Sequence, residues 1–147
     1  MRIQLPANEI HLWFVDTSQI TGQALLSQYR HLLSPQEVIR NQRFKFEKDR
    51  KQHLITRALV RSVLSSYINT VSPADWQFNT NEYGKPEVAP ETLPYPLKFN
   101  VSHSQEMIVL SAHSCQEVGV DIEFLNRKSA TKELASHVFS KHENQQL

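Results

Sequence analysis

The chain is predicted to be an α+β protein in which an antiparallel sheet packs against helices. Three stretches with strand character, residues 97–102, 107–112 and 118–123, follow one another through short links, and short links favour antiparallel pairing. Helical periodicity, in contrast, is concentrated in residues 23–68. This segregation of helices and strands along the chain is typical of the α+β class. A length of 147 residues is ordinary for a single domain.

Three helices are predicted in the first half of the chain. Residues 23–33 place their apolar side chains close to a helical period. A second helix, residues 34–46, is expected to begin at Ser34, which can form a capping box with Glu37. The third is expected over residues 49–68, with a face composed of Leu54, Ile55, Ala58, Leu59, Ser62 and Val63.

Basic side chains follow this third helix at spacings of three and four residues, which places them on one face: Arg50, His53, Arg57 and Arg61. A row of this kind is most often a solvated helix face. It is also suited to binding phosphates, because the planar arginine fork donates to two oxygens at once. These residues alone leave both interpretations open.

Strands are also predicted outside this block. Residues 9–15 are rich in β-branched and aromatic side chains, and residues 76–79 alternate between apolar and polar side chains. A turn that contains Gly84, Lys85 and Pro86 follows the second of these stretches. The prolines beyond it predict a stiff surface loop.

The stretch from Val118 to Glu123 alternates strictly, so Asp121 and Glu123 are predicted on the same side of an extended strand. Two neighbouring like charges repel, which suggests that a cation lies between them. Oxygen ligands without a nearby cysteine favour a hard cation, and Mg²⁺ is commonly held by one or two carboxylates together with substrate phosphates. The alternative is an edge strand with a solvated acidic face.

Composition disfavours several classes of protein. The net charge of +1 indicates no general attraction to nucleic acid or to a membrane surface, and no apolar run approaches the length that spans a bilayer. The single cysteine, Cys115, excludes an internal disulfide and fits a reducing compartment. No signal peptide is expected at the N-terminus, so the predicted location is cytoplasmic.

Serine hydrolase and zinc chemistry are both disfavoured. Ser102 and His103 are adjacent in a predicted strand and face opposite sides, which is a poor arrangement for a nucleophile and its base. The histidines and the cysteine have none of the spacings of a zinc site.

A basic helix row, a lysine turn and two carboxylates together suit a ligand with several phosphates, such as a nucleotide or coenzyme A.

Six short motifs occur in a fixed order along the chain. They are Arg43-Phe44 through Asp49-Arg50, Arg57-Ala58-Leu59-Val60-Arg61, Tyr83-Gly84-Lys85-Pro86, Phe99-Asn100-Val101-Ser102-His103-Ser104, Gly119-Val120-Asp121-Ile122-Glu123 and Phe139-Ser140-Lys141-His142-Glu143. Each motif is weak alone, but their order and spacing are specific. With them the chain, from about residue 9 to its end, resembles the 4′-phosphopantetheinyl transferases of the surfactin-synthetase-activating type.

The resemblance implies transfer of 4′-phosphopantetheine from coenzyme A to a serine of an acyl or peptidyl carrier protein, with release of 3′,5′-ADP. Such carriers serve fatty acid, polyketide or nonribosomal peptide synthesis. Asp121 and Glu123 are implied to hold Mg²⁺ and to be catalytic together with His103, which binds phosphate oxygens. The residues implied to bind coenzyme A are Arg40, Arg57, Gly84, Lys85, Pro86, Ser102 and His103. Glu37 stands where some relatives have a cation, which puts that contact in question.

Relatives of this type consist of two similar halves with the active site between them. By resemblance, residues 1–115 form the first pseudo-repeat of the 4′-phosphopantetheinyl transferase-like fold, and residues 116–147 begin the second. The family's Trp-x-x-Lys-Glu-Ala segment, which holds a third metal ligand, is absent.

This absence leads to the expectation of a truncated chain, a fragment, or a site completed by another subunit, with self-association through an exposed half-interface. Glu143 is a weaker catalytic candidate, since a capping box with Ser140 suffices to explain it. The alternative function is that of a non-catalytic, coenzyme A-binding truncated homologue.

Overall fold

The computed structural model describes residues 2–90, 93–94 and 96–125. Its helices are α1 (Gln23–Arg30), α2 (Pro35–Arg43) and α3 (Glu47–Tyr67), with short 3₁₀ turns at Thr17–Gln19 and Pro73–Asp75. Its strands are β1 (His11–Asp16), β2 (Phe78–Thr80), β3 (Pro86–Val88), β4 (Lys98–Ser104) and β5 (Met107–His113). The motif that ends at Glu143 lies outside the described residues.

Three strands form the main sheet, in the order β1-β5-β4. β5 is central and antiparallel to both neighbours, with Leu110 paired to Trp13 on one side and to Val101 on the other. β2 and β3 form a separate antiparallel hairpin. The prediction of an α+β protein with an antiparallel sheet and packed helices is confirmed.

The helices agree with the sequence prediction except at their ends. The capping box of α2 is present: the Ser34 hydroxyl accepts a hydrogen bond from the Glu37 N–H, and the Glu37 carboxylate accepts one from the Ser34 N–H. α2 ends at Arg43, because the backbone at Phe44 is already extended. α3 begins slightly earlier than predicted, after Phe46, which provides no side-chain cap.

α3 packs against the sheet and forms the centre of the core. Val60, Leu64 and Leu110 are fully buried, and the same cluster includes Phe99 of β4. Each such side chain contributes about 1.5–3 kcal/mol by leaving water. A smaller cluster joins α1 to the first half of α3. The prediction that Ser62 belongs to the buried face of this helix is wrong, because Ser62 is exposed.

The stretch predicted as a third strand of the C-terminal block, residues 118–123, is not part of the sheet. Both edges of β5 are occupied, by β1 and by β4. Residues 117–125, here named the carboxylate segment, instead follow β4 and contact it through β4 side chains. The predicted faces are nevertheless correct: Val118 is buried, and Asp121 and Glu123 are exposed.

The turn between β4 and β5 contains a residue that glycine would suit better. Gln105 has a φ of 52°, which is the left-handed region that disfavours residues with a Cβ. Gln105→Gly is expected to raise the free energy of unfolding by about 0.5–1 kcal/mol, after allowance for the entropy that glycine adds to the unfolded chain. Urea denaturation measures this effect. Gln105→Ala keeps the strain, and equal stabilisation by both variants would contradict the explanation.

Candidate functional site

Lys85 is positioned by a glycine turn between β2 and β3. Gly84 has a φ of 83°, and its N–H donates to the Asn81 carbonyl. The Asn81 side-chain oxygen accepts hydrogen bonds from the backbone N–H groups of Tyr83 and Lys85, each at 2.9 Å. The predicted turn at Gly84-Lys85-Pro86 is therefore present, and Pro86 begins β3.

The side chain of Lys85 reaches the start of the carboxylate segment. Its Nζ donates to the Val118 carbonyl at 3.0 Å and to Glu117 Oε2 at 3.2 Å. Lys98 Nζ lies 3.2 Å from Glu117 Oε1. Hydrogen bonds from Lys98 and Lys85 hold the pKa of Glu117 below its usual value. The two lysines therefore anchor this segment through one carboxylate, a contact that the sequence did not predict.

Asp121 and Glu123 are both exposed on the carboxylate segment. The Ser102 hydroxyl donates to Asp121 Oδ1 at 3.0 Å, which fixes the position of that carboxylate. Within the described ranges, no three His, Cys, Asp or Glu side chains are close enough together to hold a metal ion. A cation bound by this pair would thus take its remaining ligands from water, from substrate oxygens or from residues beyond those ranges.

His103 lies near the end of β4 with an exposed side chain. Alternation along β4 places His103 on the same side as Phe99 and Val101, which pack into the core beside α3. Ser102 lies on the other side, where it contacts the carboxylate segment. Ser102 and His103 therefore point to opposite sides of the strand, as predicted. This geometry is unsuited to a serine nucleophile with its neighbour as base.

Two arginines of the basic row share one carboxylate of α2. Arg57 Nε lies 2.5 Å from Glu37 Oε2, and Arg61 Nη2 lies 2.5 Å from Glu37 Oε1. Arg61 is 1% exposed, and both guanidinium groups lie over the Phe78 ring. The row is therefore not one solvated face: Arg61 is structural, Arg50 donates to backbone carbonyls, and Arg57 is largely covered.

His53, within the same row, is expected to make stability depend on pH. Burial first, and then the charges of Arg57 and Arg40, lower its pKa from 6.5 to about 4, although Glu37 acts in the opposite direction. Its Nδ1 accepts a hydrogen bond from the Asn41 amide at 3.0 Å, which requires that nitrogen to be unprotonated. Between pH 6.5 and about pH 4, the His53 imidazole is protonated more readily in the unfolded chain than in the folded one. The free energy of unfolding therefore decreases as the pH falls through this range.

The free energy of unfolding is expected to decrease by about 2 kcal/mol between about pH 7 and about pH 5. Each pH unit below the unfolded pKa costs about 1.4 kcal/mol. Urea denaturation at both pH values measures it. His53→Gln should remove most of the difference, whereas His31→Gln, at an exposed histidine, should leave it unchanged. If the His53→Gln protein keeps the full pH dependence, another group is responsible.

Two surface depressions adjoin these residues. One, of about 370 Å³, lies beside Lys85 and Lys98 over an apolar floor that includes Phe99, and it reaches the carboxylate segment. The other, of about 670 Å³, is an open groove along α2 that Arg40 and Arg43 line. Both have cations at their edges, so each can receive an anionic group of a ligand.

The structure joins some of the predicted site residues and separates others. Lys85, Ser102 and Asp121 are connected through the carboxylate segment. Arg40 and Arg57 belong to α2 and α3, and α3 packs on the core side of the sheet.

Comparisons with known proteins give the family. A family model described as "4′-phosphopantetheinyl transferase, N-terminal" matches residues 21–115. The chain is 30% identical over 145 residues to 4′-phosphopantetheinyl transferase HetI of Nostoc sp., with 99% of this chain and 60% of HetI covered. It is 35% identical over 120 residues to 4′-phosphopantetheinyl transferase Sfp of Bacillus subtilis, with 82% of this chain and 50% of Sfp covered. The chain belongs to the 4′-phosphopantetheinyl transferase family.

The chain spans only part of the curated relatives that it matches, about half of Sfp and 60% of HetI. The part matched by the family model includes the Lys85 turn and β4 but ends before the carboxylate segment. Among the helices of the described residues, none is both long enough and apolar enough to cross a bilayer.

Proposed function

We propose that the protein transfers the 4′-phosphopantetheine group of coenzyme A to a serine of an acyl or peptidyl carrier protein, in a Mg²⁺-dependent reaction of the surfactin-synthetase-activating type. The observation that carries this proposal is the exposed pair Asp121 and Glu123 on a segment that Ser102 bonds at Asp121 and Lys85 bonds at Val118. Membership of the family supports the same reaction.

The donor set of the carboxylate segment fits Mg²⁺. Asp121 and Glu123 provide only oxygen ligands, they are exposed, and Mg²⁺ typically uses one or two carboxylates together with substrate phosphates. When bound, the ion would supply positive charge where negative charge develops on the pyrophosphate. Ser102 keeps Asp121 in place for this role.

In the proposed reaction, the serine oxygen of the carrier bonds to the β-phosphorus of coenzyme A, and the bond from that phosphorus to the bridging oxygen breaks. The serine proton goes to a general base, and 3′,5′-ADP leaves. His103 and Lys85 offset the charge on the leaving phosphate. Gly84 and Pro86 border the nucleotide, and Ser102, beside His103, also belongs to the proposed coenzyme A site.

The 3′-phosphate end of coenzyme A is assigned to the helix side of the molecule. Arg57 and Arg40 both raise the positive potential there, as their effect on the pKa of His53 indicates. Arg57 is already paired with Glu37, so its charge is partly neutralised. Arg40 is exposed in the groove along α2, which makes it the more accessible of the two.

Intact-mass spectrometry tests the proposal. The complete protein is incubated with an apo carrier protein, coenzyme A and Mg²⁺, and the expected result is a phosphopantetheine-sized mass gain that EDTA abolishes. Binding of coenzyme A without any mass gain would overturn it in favour of the non-catalytic, coenzyme A-binding alternative. Absence of both would contradict both functions.

The assignment of residues 1–115 and 116–147 to two halves of the fold belongs to the same proposal. Self-association also stays a prediction. The predicted contact is the exposed half-interface, and several large apolar side chains of the described residues are exposed, among them Leu12 and Phe14 at 52% and 59%. Sedimentation over a range of protein concentrations would measure it.

A further inference from the structure

Three side chains of β4 form hydrogen bonds to the backbone of the carboxylate segment at a constant sequence offset. Asn100 Oδ1 accepts from the Val120 N–H at 2.9 Å. Ser102 Oγ accepts from the Ile122 N–H at 3.3 Å, and Ser104 Oγ accepts from the Phe124 N–H at 3.0 Å. Because both numbers increase together, the segment runs parallel to β4. We name these three side chains the side-chain ladder.

The ladder takes the place of a backbone ladder. In a parallel pair of strands, the backbone N–H groups of one strand donate to backbone carbonyls of the other. Here the alternate N–H groups donate to side chains, so the segment is held away from the β4 backbone. The residues between the bonded positions are Asp121 and Glu123, whose side chains are exposed.

The bonds of the Ser102 hydroxyl define its part in the ladder. A serine hydroxyl has one hydrogen to donate, and that hydrogen goes to Asp121 Oδ1 at 3.0 Å. The same oxygen accepts from the Ile122 N–H. In this arrangement the Ser102 hydroxyl connects the Asp121 carboxylate with the backbone of the carboxylate segment.

We infer that Asn100, Ser102 and Ser104 are positioning residues that fix the spacing and direction of the carboxylates of Asp121 and Glu123 for a divalent cation. The inference rests on the proposed function, which supplies the cation. All three ladder side chains are neutral, so they orient the carboxylates without neutralising them. Partners that orient metal ligands in this way typically change metal affinity about 10-fold to 100-fold when they are removed.

The test compares Ser104→Thr with Ser104→Val in the complete protein. The two replacements have the same shape and differ in the hydroxyl that accepts from Phe124, and both suit a strand. Mn²⁺ is the probe, titrated with and without coenzyme A and followed by its electron paramagnetic resonance signal. Amide hydrogen exchange of residues 120–124 is measured on the same proteins.

Ser104→Thr is expected to behave as the parent protein, whereas Ser104→Val should bind Mn²⁺ about 10-fold more weakly and exchange the Phe124 amide faster. Asn100→Leu should act in the same direction at Val120. Ser62→Ala, at an exposed serine of α3, is the control for removing a hydroxyl.

Two results of the Mn²⁺ titration would contradict the metal site and the positioning role separately. If the parent protein binds no Mn²⁺ in either condition, the proposed metal site is wrong. If the parent protein binds Mn²⁺, but the Thr and Val variants have equal affinity and equal exchange, the positioning role is overturned while the metal site stands.

Discussion

Glu37→Ala is expected to lower the free energy of unfolding by about 3–5 kcal/mol, which is the usual cost of removing one partner from a buried ion pair. The cost arises at Arg61, which is 1% exposed and would keep its charge without the carboxylate. The loss of the α2 capping box adds to this effect, because Glu37 also accepts from the Ser34 N–H.

Arg61 is the centre of this network. Besides Glu37, its guanidinium donates to the carbonyls of the turn after α3, at Pro73, Ala74 and Trp76. Burial alone would raise the pKa of Glu37, but the hydrogen bonds from Ser34, Arg57 and Arg61 outweigh it and lower the pKa. The stabilisation is therefore fully present above the unfolded pKa of a glutamate and is lost as the pH falls through the lowered one.

Urea denaturation with a constant m-value measures the effect of Glu37→Ala. Glu9→Ala, which removes a half-exposed pair with His11, is the control and should change stability by no more than about 1 kcal/mol. The double variant Glu37→Leu with Arg61→Met should recover part of the loss, because the buried charge of Arg61 is removed together with its partner, while Arg57 and the capping box still lack Glu37. A cost of Glu37→Ala no larger than that of the control would show that the buried pair is not important.

The role of Glu37 illustrates what the sequence can and cannot predict. Its capping box with Ser34 is local, since the two residues are separated by one helical turn, and the sequence predicts it correctly. Its pairing with Arg57 and Arg61 spans 20 and 24 residues and depends on how α2 packs on α3. Spacing along α3 places the arginines on one face but does not say whether that face is covered.

The carboxylate segment also shows that local patterns are predictable from the sequence while distant contacts are not. Alternation predicts which side chains are exposed, and Asp121 and Glu123 are indeed exposed. Alternation does not determine which strand a segment pairs with. The prediction that residues 118–123 pair with β5 was wrong because β1, which is distant in sequence, occupies that edge of β5. The hydrogen bond that the Val120 N–H donates to Asn100 Oδ1 joins residues 20 positions apart and depends on how the segment packs beside β4, so the sequence did not predict it.

Asp121→Asn is expected to lower the rate of phosphopantetheine transfer by more than about 100-fold, since loss of a residue that merely orients a ligand already costs about 10-fold to 100-fold. The change keeps the shape of the side chain and leaves an oxygen that can still accept from Ser102. It removes the negative charge that a divalent cation requires. Mass spectrometry of the carrier measures the rate, and calorimetry measures binding of Mn²⁺.

Two comparisons separate loss of the metal site from loss of the fold. Asp75→Asn, at an exposed carboxylate in the turn after α3, makes the same chemical change away from the site and should leave transfer unchanged. Asp121→Asn should keep the parent stability in urea, because the carboxylate is exposed and only its bond to Ser102 is altered. Full transfer by Asp121→Asn at saturating Mg²⁺ would exclude Asp121 as an essential ligand. Loss of transfer with unchanged Mn²⁺ affinity would instead assign Asp121 a role toward coenzyme A or the carrier.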